Sequence, residues 1–263
     1  MTPVEFYIQD KLSNLAAETN VRILLAIESG SRAWGFPSED SDFDVRFIYV
    51  RKQNDYLSVC DLPDVIETPL VHDNFLKVPI DLNGWDLRKA LRLGLKSNAV
   101  LIEWLNSPVR YMADDKIFQP FHDFVLNNAD IPSLHYHYDR LAKHAWQDIC
   151  ADPVHARMKR YFYALRPALA CAWMRAHHRS PPMNILELVK GLDLPGAFLH
   201  QLHQLTSSKL NAAESDSVAR NSIFDQFLSH ELAFPAPRPE PQPQTTQQAR
   251  LADSLFQQLI GMR

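Results

Sequence analysis

Asp42 and Asp44 stand two apart in the run Ser38-Glu39-Asp40-Ser41-Asp42-Phe43-Asp44-Val45. In an extended strand, side chains two apart share a face, so both carboxylates would lie side by side while Phe43 and Val45 turn to the core. Adjacent carboxylates repel, and both stay ionised at neutral pH only beside a compensating cation; oxygen donors of this kind suit a hard divalent ion such as magnesium. Separated from Asp42 by ten intervening residues, the pair Gly30-Ser31 closes an apolar run, Arg22-Ile23-Leu24-Leu25-Ala26-Ile27. Glycine lets backbone approach a ligand closely. If Ser31-Arg32-Ala33-Trp34 opens a helical turn, its free N–H groups and the Ser31 hydroxyl face an anion, as phosphate is commonly held. The turn must end by Gly35-Phe36-Pro37. A phosphate grip and a cation grip in one strand, turn, strand unit is what displacement at a nucleotide phosphate requires. The bland alternative for the two aspartates is a solvated strand edge or a turn over residues 38–41.

The elements that must position these residues follow from periodicity. A helix over residues 3–18 (Phe6, Leu12, Leu15, Ala16) precedes a strand at 22–27 and a second at 42–50. Residues 52–77 have weak periodicity with scattered Pro, Asp and His, the pattern of short elements and an exposed loop. Val78-Pro79-Ile80-Asp81-Leu82 reads as a third strand. Trp85, Leu87, Ala90, Leu91 and Leu95 then recur at helical spacing, with Arg88, Arg92 and Lys96 opposite, and a further helix covers 99–105. That basic row is either a solvated face or a contact for RNA. Beyond Met112 strand signals fade and helices dominate, over 136–149, 154–177, 185–191, 196–206 and 216–228, with Pro167 expected to kink or divide the second. Residues 235–247 are a stiff proline-rich linker. Residues 248–263 form a last helix whose apolar face (Leu251, Leu255, Phe256, Leu259, Ile260) must dock on its own chain or on a partner.

The Gly-Ser, spacer, Asp-x-Asp arrangement resembles the signature of the DNA polymerase beta-like nucleotidyltransferase superfamily. Longer blocks, Asp81-Leu82-Asn83-Gly84-Trp85-Asp86-Leu87-Arg88, Glu103-Trp104-Leu105-Asn106-Ser107-Pro108 and Lys159-Arg160-Tyr161-Phe162-Tyr163-Ala164-Leu165-Arg166-Pro167, resemble the nucleotidyltransferases associated with RNA repair, over residues 1–215. The resemblance implies an α+β fold: a small mixed-sheet nucleotidyltransferase domain over 1–112, then an α-helical domain over 113–234. It also implies a third carboxylate on a neighbouring strand. Asp81 is the choice, since a charge inside an apolar strand is costly without a task. Its rival, Asp86, has a ready structural reading as a dipole-complementing residue in the first turn of a helix. Asp42, Asp44 and Asp81 would then hold two magnesium ions, for which manganese could stand in, and Asp81 could accept the proton of the attacking hydroxyl. Ser31 and the Gly30 backbone would hold the outer phosphates of a nucleoside triphosphate. Arg32 reads either as a phosphate contact or as a surface arginine. Lys159 and Tyr161, beside Arg157, Arg160, Phe162 and Tyr163, could neutralise phosphate and stack a base, or simply build core. Lys143 is a similar candidate through the resemblance alone. The acceptor is RNA, at its 3′ end, or a protein or small molecule; a nucleotide-sensing protein without turnover is the remaining alternative.

Composition bounds these readings. A net charge of −4 argues against an all-over polyanion surface, so any RNA contact needs a local basic patch. No apolar stretch is long enough to span a bilayer, and Met-Thr-Pro-Val-Glu-Phe lacks signal-peptide features, so a cytoplasmic location is expected. Cys60, Cys150 and Cys171 have neither disulfide-framework nor zinc spacing, and the histidine pairs His135/His137 and His200/His203 have no accompanying ligand set.

Overall fold

The computed structural model describes residues 2–210, 217–239 and 245–261. Thr2 opens α1 (Pro3–Thr19): its hydroxyl accepts from the Glu5 N–H while the Glu5 carboxylate accepts from the Thr2 N–H, satisfying donors that a helix start leaves orphaned. β1 (Arg22–Glu28), the short α2 (Gly30–Trp34) and β2 (Phe43–Val50) follow. The crossover after β2 carries a 3₁₀ turn at Gln53–Leu57 and two edge strands, β3 (Val65–Glu67) and β4 (Val71–His72), before β5 (Pro79–Asp86). Next come α3 (Leu87–Gly94), α4 (Ala99–Leu105), β6 (Arg110–Ala113) and α5 (Asp115–Asn127).

The sheet runs β3-β5-β2-β1-β6, with β4 also on β5. β2 and β5 are parallel and the other neighbours antiparallel, so the sheet is small and mixed, as expected. Alternation assigns its faces: Phe43, Val45, Phe47 and Tyr49 of β2 join Ile80 and Leu82 of β5 and Ile8 and Leu12 of α1 in one buried cluster. The intervening residues of β2 and β5 are half-buried on the other face.

The second half is helical: α6 (Ile131–Cys150), β7 (His155–Arg157), α7 (Met158–His177), α8 (Ile185–Lys190), α9 (Gly196–Leu210), β8 (Ser217–Ala219) and α10 (Ser222–Glu231). α7 starts four residues later than its spacing suggests because His155–Arg157 pairs with β8. Pro167 lies inside α7 without dividing it. Of the linker expected at 235–247, residues 240–244 lie outside the described residues, as does 216 of the helix expected over 216–228, where β8 precedes a helix that begins only at Ser222.

Two compact units result. One contains Met1–Gly30, Asp42–Ala129 and Gln242–Arg263, the other Ser31–Ser41 and Asp130–Pro241. The boundary expected at 112/113 therefore moves to Ala129/Asp130. The reason is α5, whose Val125 fills the space left by the missing side chain of Gly94 and whose Ile117, Phe118 and Phe121 are buried. α11 (Thr246–Gly261) belongs to the first unit and docks on its own chain against α3 and α5, with Leu255 and Leu259 buried. Ala252 takes the inward position, while Leu251, assigned to the apolar face from spacing, is exposed.

Candidate active site

The parallel register sets Asp44 of β2 directly beside Asp81 of β5. Their inward neighbours, Phe43, Val45, Ile80 and Leu82, are core, so both carboxylates stand on the opposite, solvent-reached face. Arg46 follows Asp44 by two residues and shares that face. Its Nη2 lies 3.0 Å from Asp44 Oδ1 and 2.8 Å from Asp81 Oδ2, and Nη1 also reaches the Asp81 carbonyl at 3.3 Å. A planar guanidinium suits such a double contact because its donors are fixed in a fork. Arg46 thus supplies a compensating positive charge to both carboxylates. Asp42 precedes β2 by one residue and is half-buried. Among the described residues no group of three or more His, Cys, Asp or Glu side chains that could hold a metal is found; Asp44 and Asp81 are the two acids that share Arg46.

The backbone under Asp44 is pinned by a buried carboxylate. Glu28 ends β1 at 1% exposure; its Oε1 accepts the Asp44 N–H at 2.8 Å and its Oε2 accepts the Tyr111 hydroxyl. The Ser107 hydroxyl donates to the Glu28 carbonyl at 2.6 Å, and the Ser29 N–H donates to the Asp44 carbonyl at 2.8 Å. Gly30 follows at φ +63°, and a Cβ there would sit 2.0 Å from Asp44 Oδ2. Only glycine meets both the left-handed backbone and the close approach to the carboxylate.

Asp86, the rival third carboxylate, does structural work at the far end of β5. It caps α3 by accepting the Arg88 N–H at 2.8 Å and accepts the Tyr56 hydroxyl at 2.8 Å. Burial pushes its carboxyl above the ordinary range, against the pull of Tyr56 and Arg88.

The Ser31–Ser41 segment is built into the helical unit. Phe36 stacks on Phe162 at 4.2 Å, Trp34 meets Tyr163 edge-on at 5.5 Å, and the Arg166 guanidinium covers Trp34 at 4.8 Å. Ser31 Oγ lies 3.2 Å from Ser41 Oγ, and Arg32 Nη2 donates to the Ser41 carbonyl at 2.6 Å, so Arg32 ties the segment to itself. Lys143 of α6 pairs with Asp139 at 2.9 Å one turn away. Lys159 of α7 lies 5.7 Å from the Tyr163 ring centre. Tyr161 departs from its base-stacking reading. It is wholly buried against Phe224, its hydroxyl donating to Asp225 at 2.9 Å and accepting the Asn221 N–H at 2.9 Å, so its ring builds core.

A family model described as the RNA repair pathway DNA polymerase beta family matches residues 4–258. The chain belongs to that family. This membership makes it a nucleotidyltransferase. Among curated proteins the uncharacterized protein YcgL of Bacillus subtilis strain 168 is 38% identical over 225 residues, covering 86% of this chain and 84% of that one. A crystal structure of a nucleotidyltransferase-like protein from Exiguobacterium sibiricum aligns over 98% of this chain and 74% of that one, at 11% identity and a TM-score of 0.34.

Two residues that touch the candidate site were not singled out from the sequence. Arg46 carried a usable signal, being the third same-face position after Asp42 and Asp44. Glu28 carried one too, a carboxylate closing an otherwise apolar strand. The donor chemistry of the pair fits a divalent ion: two hard-oxygen ligands in register, with 23% and 26% of their side-chain surface open to solvent, already drawn together by a positive charge.

Proposed function

We propose that this nucleotidyltransferase moves a nucleoside monophosphate from a nucleoside triphosphate to an acceptor hydroxyl, the 3′ end of an RNA, releasing pyrophosphate. The observation that supports the reading most directly is the Asp44–Asp81 pair, side by side on parallel strands, bridged by Arg46 and abutting Gly30. Asp44 and Asp81, with Asp42 just before β2, would hold magnesium, which supplies neutralisation of phosphate charge and a lowered pKa for the attacking hydroxyl. Asp81 accepts the proton of that hydroxyl. The Gly30 backbone and the Ser31 hydroxyl take the outer phosphates, and Arg32, Lys143 and Lys159 are the cationic side chains assigned to the nucleotide. RNA as acceptor follows the family's description. A cytoplasmic location accompanies this reading; among the described residues no helix is long and apolar enough to cross a membrane.

The test supplies purified protein with a magnesium salt, each labelled nucleoside triphosphate in turn, and separately an RNA with a free 3′ hydroxyl, the same RNA blocked at that position, and a protein acceptor. Label should enter only the unblocked RNA. Asp44→Asn and Asp81→Asn should each lower transfer by roughly a hundredfold or more, several kcal/mol of charge stabilisation being lost. Undiminished turnover in the double variant would remove the mechanism, and label on protein alone would move the acceptor to a protein hydroxyl.

A further inference from the structure

Lys209, in the last turn of α9, is 2% exposed, and its Nζ donates to Ser38 Oγ at 2.9 Å. Lysine is almost never fully buried without a specific partner, because desolvating its head group is costly. Here the partner begins a chain. Ser38 Oγ lies 2.9 Å from Ser41 Oγ, the Ser38 N–H donates to Ser41 Oγ at 2.9 Å, and Ser41 Oγ lies 3.2 Å from Ser31 Oγ. Ser38 is 3% exposed and Ser41 fully buried, while Ser31 is half-buried. The series thus runs from a sequestered amine to a serine that is half-buried, entirely within the helical unit.

We infer that Lys209 is a positioning residue for anion capture, acting through Ser38 and Ser41 to aim the Ser31 hydroxyl proton at the triphosphate. A charged lysine head has donors and no acceptor, so Ser38 Oγ must accept from it, and one end of the chain has a fixed polarity. In the structure Ser31 donates to Ser41. Hydroxyl protons rotate, and the reversed order satisfies every group: Lys209 to Ser38, Ser38 to Ser41, Ser41 to Ser31, and Ser31 outward to a phosphate oxygen. Ser41 Oγ then accepts from the Ser38 N–H and O–H and donates once, which uses its capacity fully. Successive bonds of one sense polarise each other in a buried setting.

The inference rests on the reading that Ser31 faces the triphosphate, and the experiment separates the two. Affinities of the full chain for the four nucleoside 5′-(α,β-methylene)triphosphates and the matching monophosphates are compared among wild type, Lys209→Met and Ser41→Ala. Ser41→Ala leaves Lys209 and Ser38 paired and serves if Lys209→Met does not fold, as judged by circular dichroism. The relay requires about a tenfold loss for the triphosphate in each folded variant, with the monophosphate changed less than about twofold. A purely structural lysine would weaken both ligands alike; that outcome, or unchanged triphosphate affinity, overturns the inference. Wild type that binds triphosphate and transfers nothing to any acceptor overturns the transfer reading while the relay stands. Wild type that binds no triphosphate overturns both.

Discussion

Arg46 holds two carboxylates that the proposed divalent ion would also seek, so the two cations would compete for one place. Arg46→Met removes a partly buried counter-charge and leaves two neighbouring acids in mutual repulsion, which should lower stability by about 1–3 kcal/mol in chelator. Millimolar magnesium should restore much of that loss, so the variant should show a larger magnesium-induced rise in melting temperature than wild type. Equal shifts in differential scanning calorimetry would separate Arg46 from the metal site. Gly30 carries a different constraint. Gly30→Ala incurs about 1–2 kcal/mol for a non-glycine at positive φ, and its methyl would also displace the Asp44 carboxylate. Transfer activity should therefore fall much further than stability does, a split seen by pairing thermal melts with the transfer assay.

Among the elements, α6 carries an acid-sensitive residue. His135 is buried, and neither ring nitrogen has a hydrogen-bond partner. Burial first, and then Arg175, hold its pKa below the ordinary 6.5, with Asp139 and Glu231 pulling the other way and Lys143 adding to the depression. The unfolded chain therefore binds the proton more readily than the folded one. Stability from this site is complete above about pH 6.5 and declines as pH falls toward the depressed value. His135→Phe should flatten that part of the profile; parallel melting curves for wild type and variant from pH 8 to 5 would assign the acid sensitivity elsewhere.

The elements also show what the sequence could disclose. Period-two alternation located β2 and the face of Asp44, and the same step, taken once more, reaches Arg46. The register that sets Asp81 opposite Asp44 was not legible, because parallel pairing across a long crossover is set by packing rather than by a local turn. Helical spacing over α6 and α7 was readable, yet spacing alone does not distinguish a ring that fills core, as Tyr161 does, from one offered to a ligand. Nor does it show that α5 has its receiving notch at Gly94 in the sheet unit.

For the whole molecule, α11 is a late stretch of chain that closes an early unit. Arg22 Nη2 donates to the Leu259 carbonyl at 2.8 Å, Gln248 Nε2 donates to Asn128 Oδ1 at 3.0 Å, and Phe256 meets Tyr56 edge-on at 5.0 Å. Burying Leu255 and Leu259 contributes about 1.5–3 kcal/mol each before the entropy of ordering the helix is set against it. Truncation before Thr245 should thus lower the melting temperature by about 10 °C and raise aggregation. A truncated chain that melts with the full-length protein would return the helix to an intermolecular role.

The acid pair belongs to strands joined only through the crossover of β3 and β4. During synthesis Asp44 leaves the ribosome well before Asp81, and the two meet only after that crossover has closed and β5 has laid itself along β2. Metal uptake at the proposed site is therefore expected to follow the docking of β5 on β2, and a kinetic probe of that uptake should report this late pairing.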